Sequence, residues 1–118
     1  MATVFTKGFL SGSTNGRGIA LSQSSGSRTT IHTATNTANQ YDEIYIYANV
    51  QTTVGGNLYL RWGGTGAADL KTLYLPGPGS DILIIPGYIL NGGVVVDAYT
   101  DSALLLNVTG WVHTLQFV

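Results

Sequence analysis

The sequence predicts a single all-β domain, a jelly-roll-like β-sandwich of about eight antiparallel strands. The chain has 118 residues, which is room for one domain with one core. From Thr29 onward, short β-type runs alternate with turn signals such as Pro76-Gly77-Pro78-Gly79 and Asn91-Gly92-Gly93. No window longer than about ten residues shows a helical period. These observations together favour two packed sheets and no helical layer.

The candidate strands are runs of β-type residues bounded by turn residues, and they span residues 29–34, 41–50, 57–62, 70–75, 81–85, 94–99, 104–108 and 111–117. Residues 1–28 are predicted to be an extended Gly/Ser-rich N-terminal arm, and residues 29–118 the sandwich domain. The tract 11–27 is almost entirely Gly, Ser, Thr and Asn, interrupted by Ile19-Ala20-Leu21. A tract of this composition cannot fill a core, so we expect an arm or a loose first strand.

The run 41–50 alternates with a period of two, so its side chains divide between two faces of a strand. The aliphatic face, expected to meet the core, carries Ile44, Ile46, Ala48 and Val50. The opposite face carries a tyrosine row with polar neighbours: Tyr41, Glu43, Tyr45, Tyr47 and Asn49. An exposed tyrosine row suits an interface, because the ring offers apolar area and a hydroxyl that stays hydrogen-bonded. The alternative is that a second sheet or a loop covers the row.

The same alternation in residues 57–62 places Leu58, Leu60 and Trp62 toward the core. Tyr59 and Arg61 then point outward. The candidate interface residues from the two runs are Tyr41, Tyr45, Tyr47, Tyr59 and Arg61.

Composition favours self-association. Only 9% of the residues are charged, against about 25% in an ordinary domain, and the net charge is −1. Charge normally keeps a small monomer apart from its copies. Residues 82–85 and 94–96 are apolar on both strand faces, and in so small a domain a neighbouring subunit usually covers one of them. The alternative is a compact monomer whose surface is built from Ser, Thr, Asn and Gly.

Several other partners are not expected. The five basic residues are scattered, whereas phosphate binding needs them clustered, so nucleic acid is not a predicted partner. No signal-peptide pattern opens the sequence and no apolar run approaches a membrane span, so we expect a soluble compartment and no membrane partner. The sequence has no cysteine, which excludes disulfides and thiol chemistry. We expect no cofactor.

The titratable residues do not form a recognisable catalytic or metal-binding motif, and we predict that the protein is not an enzyme. His32 and His113 lie in separate strand-like runs without a nucleophile motif, which favours structural roles. Asp42 and Glu43 would point to opposite faces of one strand, so they cannot act as a facing pair. Asp97 and Asp101 are close enough to share a cation, but further oxygen ligands are missing from their spacing, and we expect no metal site.

Six landmarks follow one another along the chain: Ile31-His32-Thr33-Ala34, Asp42-Glu43-Ile44-Tyr45-Ile46-Tyr47-Ala48, Leu58-Tyr59-Leu60-Arg61-Trp62-Gly63-Gly64, Ile85-Pro86-Gly87-Tyr88-Ile89-Leu90, Val94-Val95-Val96-Asp97-Ala98-Tyr99 and Asn107-Val108-Thr109-Gly110-Trp111-Val112. Taken in this order, they resemble small virion proteins of tailed bacteriophages. The resemblance extends over about residues 30–115. In that group, jelly-roll cement or decoration proteins sit as trimers on the capsid exterior and brace neighbouring capsomers.

This resemblance implies a homotrimer, the major capsid protein as partner, a location on the virion exterior after synthesis in the host cytoplasm, and a head-stabilising role. The N-terminal arm and the face of Tyr45 and Tyr47 would then be contact surfaces. The alternative is a carbohydrate- or receptor-binding module of a tail spike or lectin, since jelly rolls also host lectins. Its stacking residues would be Tyr59, Tyr74, Tyr88, Tyr99 and Trp111.

Overall fold

A computed structural model describes residues 3–79 and 81–117. The predicted domain bounds also include four residues that lie outside the described part: Met1, Ala2, Ser80 and Val118. The described residues form nine strands and one short 3₁₀ turn, Ala67–Asp69. The strands are β1 Thr3–Phe9, β2 Ile19–Ala20, β3 Thr29–Thr33, β4 Gln40–Val50, β5 Gly56–Trp62, β6 Leu70–Leu75, β7 Asp81–Leu90, β8 Val95–Thr100 and β9 Leu106–Phe117.

The strands form two antiparallel sheets. Sheet A has the order β1-β9-β4-β7, with β2 also paired to β9, and sheet B has the order β3-β8-β5-β6. Apart from the two-residue β2, the pairing is nested along the chain: β1 with β9, β3 with β8, β4 with β7 and β5 with β6. Nested antiparallel pairs divided between two packed sheets make a jelly roll, so the predicted fold class is confirmed.

The core lies between the sheets and is made by alternate residues of the central strands. On β4, Ile44 and Ile46 are completely buried, and Leu58 and Leu60 on β5 face them from the other sheet. Burying each such side chain stabilises the fold by about 1.5–3 kcal/mol. The predicted alternation of β4 and β5 is confirmed, except that Trp62 is only partly buried at the edge of the core.

The C-terminal strand is continuous, and the predicted break between residues 108 and 111 is wrong. Gly110 pairs with Ile46 inside the ladder between β9 and β4. A Cβ at this position would collide with the carbonyl oxygen of Tyr45, so glycine here allows two backbones to approach closely. Glycine at this position is a packing requirement of a continuous strand.

Strand β7 runs on through Pro86-Gly87 to Leu90, whereas the predicted strand ended at residue 85. Its register against β4 shifts at two points, between Ile44 and Tyr45 and between Ile46 and Tyr47. Because β7 is at the edge of sheet A, its proline needs no ladder partner on the outer side. The irregular register accommodates the Pro-Gly pair without ending the strand.

The segment before Thr29, predicted as an arm, contributes to the same sandwich. Strand β1 pairs with β9 over its whole length. Leu10, Ile19 and Leu21 are buried in the core. Because β1 has a complete ladder and these three side chains lie in the core, the segment is part of the sandwich. Most of the other residues between Leu10 and Thr29 are exposed.

The two runs that are apolar on both faces are covered by this chain on one side only. Ile85 and Val96 are completely buried, whereas Leu83 is 42% and Val95 37% exposed. The other side of each strand therefore faces away from the core. Among the described residues, no helix is long and apolar enough to cross a membrane.

Candidate interaction surfaces

The outer side of sheet A carries a continuous set of aromatic and apolar side chains from three adjacent strands. Residues that pair directly across strands point to the same side, so the register arranges them in rows. We call this surface the aromatic face, and it consists of Phe5, Lys7, Phe9, Tyr41, Glu43, Tyr45, Tyr47, Trp111, His113 and Leu115. Its three central rows are Phe9–Trp111–Tyr45, Lys7–His113–Glu43 and Phe5–Leu115–Tyr41.

The rings of the aromatic face pack against each other within the sheet. Trp111 stacks on Tyr45 with ring centroids 5.1 Å apart and on Tyr47 at 5.9 Å. His113 contacts Tyr45 at 5.5 Å and Phe5 at 4.7 Å. The tyrosines are therefore half-buried by neighbours of the same sheet, and the row still points away from the core.

The ring of Tyr45 packs against a glycine of the neighbouring strand β7. Gly87 on β7 has φ +99°, and a Cβ there would lie 3.0 Å from the Tyr45 hydroxyl oxygen. The missing side chain lets the ring cover β7. Tyrosine and tryptophan side chains have only two χ angles, so they lose little conformational entropy on contact with another surface.

Glu43 is held in the middle of the face by two neighbours. Its Oε1 accepts a hydrogen bond from the Tyr45 hydroxyl at 2.7 Å, and Nδ1 of His113 lies 3.1 Å from the same oxygen. The hydrogen bond from Tyr45 is the larger cause and the contact with His113 the second, and together they hold the pKa of Glu43 below its ordinary value. The same contact raises the pKa of Tyr45. Glu43 is thus a positioned negative charge at neutral pH.

The outer strand of the aromatic face is the most exposed part of it. Phe5 is 55% and Phe9 64% exposed, and Lys7 between them places Nζ 5.2 Å from the centroid of the Trp111 ring. Two large exposed aromatics on one edge strand form an apolar patch of the type that marks interaction sites.

An open cleft adjoins this patch. It has a volume of about 470 Å³, and its lining includes Lys7, Phe9, Asn15, Gly16 and Trp111. The ring of Phe9 lies against Gly16, where a Cβ would be 3.0 Å away. The cleft combines two aromatic rings with an amide and an amine.

The outer side of sheet B is more polar and its charges are paired. Asp97 on β8 binds Arg61 through two hydrogen bonds of 2.8 and 2.7 Å and Arg28 through one of 2.9 Å. Burial raises the pKa of Asp97, but the hydrogen bonds from Arg61 and Arg28 outweigh it and hold that pKa below its ordinary value. Beside them, Tyr59 stacks on Tyr99 at 4.7 Å.

Asp101 is also engaged by neighbouring groups. Its Oδ2 accepts the backbone N–H of Asn57 at 2.8 Å and its Oδ1 accepts the Tyr59 hydroxyl at 2.7 Å. The hydrogen bond from Asn57, and after it the one from Tyr59, lower the pKa of Asp101. Asp97 and Asp101 therefore bind separate protein donors. Within residues 3–79 and 81–117, no group of three or more His, Asp or Glu side chains is arranged to hold a metal.

His32 and Asp42 form a buried pair. Nε2 of His32 lies 2.7 Å from Oδ2 of Asp42, and Nδ1 of His32 accepts the backbone N–H of Ser11. The other carboxylate oxygen, Oδ1, accepts the hydroxyl of Thr114. Glu43, the next residue, points to the opposite side of the sheet, as predicted.

The five predicted interface residues are divided between the two outer faces. Tyr41, Tyr45 and Tyr47 lie on the aromatic face, and Tyr59 and Arg61 lie on the far side of the sandwich. Sequence reasoning missed the β1 side chains of the aromatic face, Phe5, Lys7 and Phe9. The signal that could have found them is the alternation in Thr3–Phe9, which places these three residues on one side of a strand.

The fold and the two faces define a jelly-roll sandwich with large outer surfaces suited to contact. Comparisons of the chain with protein-family models, curated proteins and solved structures found no match in any of the three.

Proposed function

We propose that this chain is a structural protein that acts by surface contact, as a homotrimeric cement or decoration protein on the capsid exterior of a tailed bacteriophage. The observation that carries the proposal is the aromatic face, which presents a broad apolar surface on a chain with very few charges. Contacts of this type stabilise an assembly through buried area and need no chemical step.

The presence of two different outer faces supports this role. A cement protein needs one surface for its sister copies and another for the shell. The aromatic face suits the first contact because aromatic residues are enriched in interface centres. The face with Tyr59, Arg61 and Asp97 suits the second, because tyrosine and arginine recur at energetically important contacts.

The state of the two histidines supports a role without catalysis. His32 is 4% exposed and its two ring nitrogens are hydrogen-bonded inside the protein, so a substrate would have no access to it. His113 packs against Phe5 and Tyr45 and contacts Glu43, which places it within the aromatic face. Both arrangements serve packing and positioning.

The experiment that tests the proposal adds the purified protein to phage heads that lack it. We expect trimers in native mass spectrometry, density on the head exterior by electron cryomicroscopy, and a higher melting temperature of the decorated heads. Absence of binding to heads, together with unchanged head stability, would contradict the proposal.

A carbohydrate-binding module is the second candidate function, and the cleft beside Trp111 is the observation that favours it. Aromatic rings with nearby amide and amine groups can stack on a sugar ring and bind its hydroxyls. A glycan array with the wild-type protein and a Trp111→Ala variant tests this. Glycan binding that depends on Trp111, with no effect on head stability, would favour the module over the cement protein.

A further inference from the structure

We infer that the aromatic face is the surface through which copies of this chain meet each other, around a rotation axis parallel to β9, with Lys7 of one copy against Glu43 of the next. The inference rests on the proposed function and deepens it, since it assigns the self-association to one side of the sandwich and names the charged contact that sets its register.

The charge pattern of the central row carries the inference. Lys7, His113 and Glu43 lie side by side on β1, β9 and β4, so the cation and the anion flank the middle strand at the same height. A rotation about an axis along the strands keeps this height and brings the β1 side of one copy beside the β4 side of the next. Each Lys7 then meets the Glu43 of a neighbouring copy. Every copy contributes one Lys7 and one Glu43 to these contacts, as a closed ring requires.

Glu43 has a carboxylate oxygen left for a cation from another copy. Both hydrogen bonds that it accepts within the described residues end on Oε1, which leaves Oε2 for a donor from another copy. Lys7 lies on the exposed side of an edge strand, over the ring of Trp111. A charge pair at this place would be surrounded by aromatic rings, where water screens it less than on an open surface.

The neighbouring rows are compatible with the same rotation. It brings Phe9 of one copy toward Tyr45 of the next in one row, and Phe5 toward Tyr41 in the other. Both pairs place a ring on a ring. The strongly exposed rings of Phe5 and Phe9 thereby lose their contact with water.

The size of the face approaches that of one side of a specific interface. The three strands β1, β9 and β4, with about 30 residues rising 3.3 Å each and a spacing of about 4.8 Å, span about 500 Å². One partner in a standard interface contributes about 800 Å². The aromatic face can therefore supply the larger part of such a contact.

The opposite face does not offer the same complementarity. On sheet B, Arg28 and Arg61 both bind Asp97, from the β3 side and the β5 side. The equivalent rotation about an axis along β8 would bring these two cations together. Like charges at an interface cost binding energy, so this face is suited to a different partner.

The test is a charge exchange read out by native mass spectrometry and sedimentation equilibrium on the full chain. We expect Lys7→Glu and Glu43→Lys each to weaken self-association at least about tenfold, because each places like charges in contact. The double variant K7E/E43K restores the opposite charges and should return association to within about threefold of wild type. The matched control is Lys71→Glu, which makes the same charge reversal on β6 of the other sheet.

Folding of each variant is checked by thermal unfolding, since Glu43→Lys also removes the contacts to Tyr45 and His113. Lys7→Glu removes only the contact of the exposed Lys7 amine with the Trp111 ring and keeps the test decisive. A monomeric wild-type protein, a Lys7→Glu variant that associates normally, or a double variant that remains dissociated would each overturn the inference. If copies associate through another face and still decorate phage heads, this inference fails while the proposed function stands; if neither occurs, both fail.

Discussion

Nε2 of His32 donates a hydrogen bond to Oδ2 of Asp42 across 2.7 Å, and this contact joins the two sheets, since β3 belongs to sheet B and β4 to sheet A. Nδ1 of His32 accepts the N–H of Ser11, so Nε2 carries the ring proton that is donated to Asp42. The buried carboxylate is further satisfied by Thr35 and Thr114.

Replacement of His32 by alanine should lower the free energy of unfolding by about 3 kcal/mol, because it removes one buried and one partly buried hydrogen bond and leaves a cavity beside a buried carboxylate. Urea denaturation followed by tryptophan fluorescence measures the change. The matched control is His113→Ala, which removes the half-buried partner of Glu43 and should cost about 1 kcal/mol or less. Equal losses in the two variants would contradict the bridging role of His32.

Gly110→Ala should be strongly destabilising, by about 3 kcal/mol or more, because its Cβ would collide with the Tyr45 carbonyl oxygen in the adjacent strand. Gly8→Ala is the control, since a Cβ there meets only a Val112 methyl group at the ordinary distance of 3.8 Å. Thermal unfolding of both variants measures the difference. A Gly110→Ala protein as stable as Gly8→Ala would show that β9 and β4 do not approach as closely as described.

Acid should destabilise the fold partly through Asp97. Its pKa is lower in the folded chain than in the unfolded chain, so the stability it contributes is complete above the unfolded pKa of about 3.9 and is lost as the pH falls through the folded pKa. Asp97→Asn should therefore flatten the fall in unfolding free energy below about pH 4. Urea titrations at several pH values measure the slope, with the exposed Asp81→Asn as control. An Asp97→Asn slope that equals the wild-type slope would refute the prediction.

Truncation of a buried aliphatic residue on β4 should lower the free energy of unfolding much more than truncation of an exposed one on the paired strand β7. Ile46→Ala should cost about 2–5 kcal/mol, because Ile46 is completely buried and a cavity remains. Leu83→Ala should change the stability of the single chain by about 0.5 kcal/mol or less. Denaturation at low protein concentration measures both. A large loss for Leu83→Ala under these conditions would mean that the outer side of β7 is covered within one copy.

Local pattern was sufficient for the central strands and insufficient at the ends of the chain. The alternation of β4 predicted its inward and outward residues, because side-chain direction in a strand repeats every two residues. The strand β1 was not predicted, because Thr3–Phe9 has few aliphatic residues and its stability comes from the ladder with β9, more than one hundred residues away. Ile31 and His32 are both buried, which alternation does not predict, because a register shift lies between Thr30 and His32.

By itself the sequence determined the fold class, the inward faces of β4 and β5 and the scarcity of charge, because each of these is a property of composition or of neighbouring residues. Only the tertiary structure decided that Tyr45 and Tyr59 lie on opposite faces, and that Lys7, His113 and Glu43 share one row. The physical reason is that strand order and register arise from pairing between distant segments, and the packing of the whole sandwich selects that pairing.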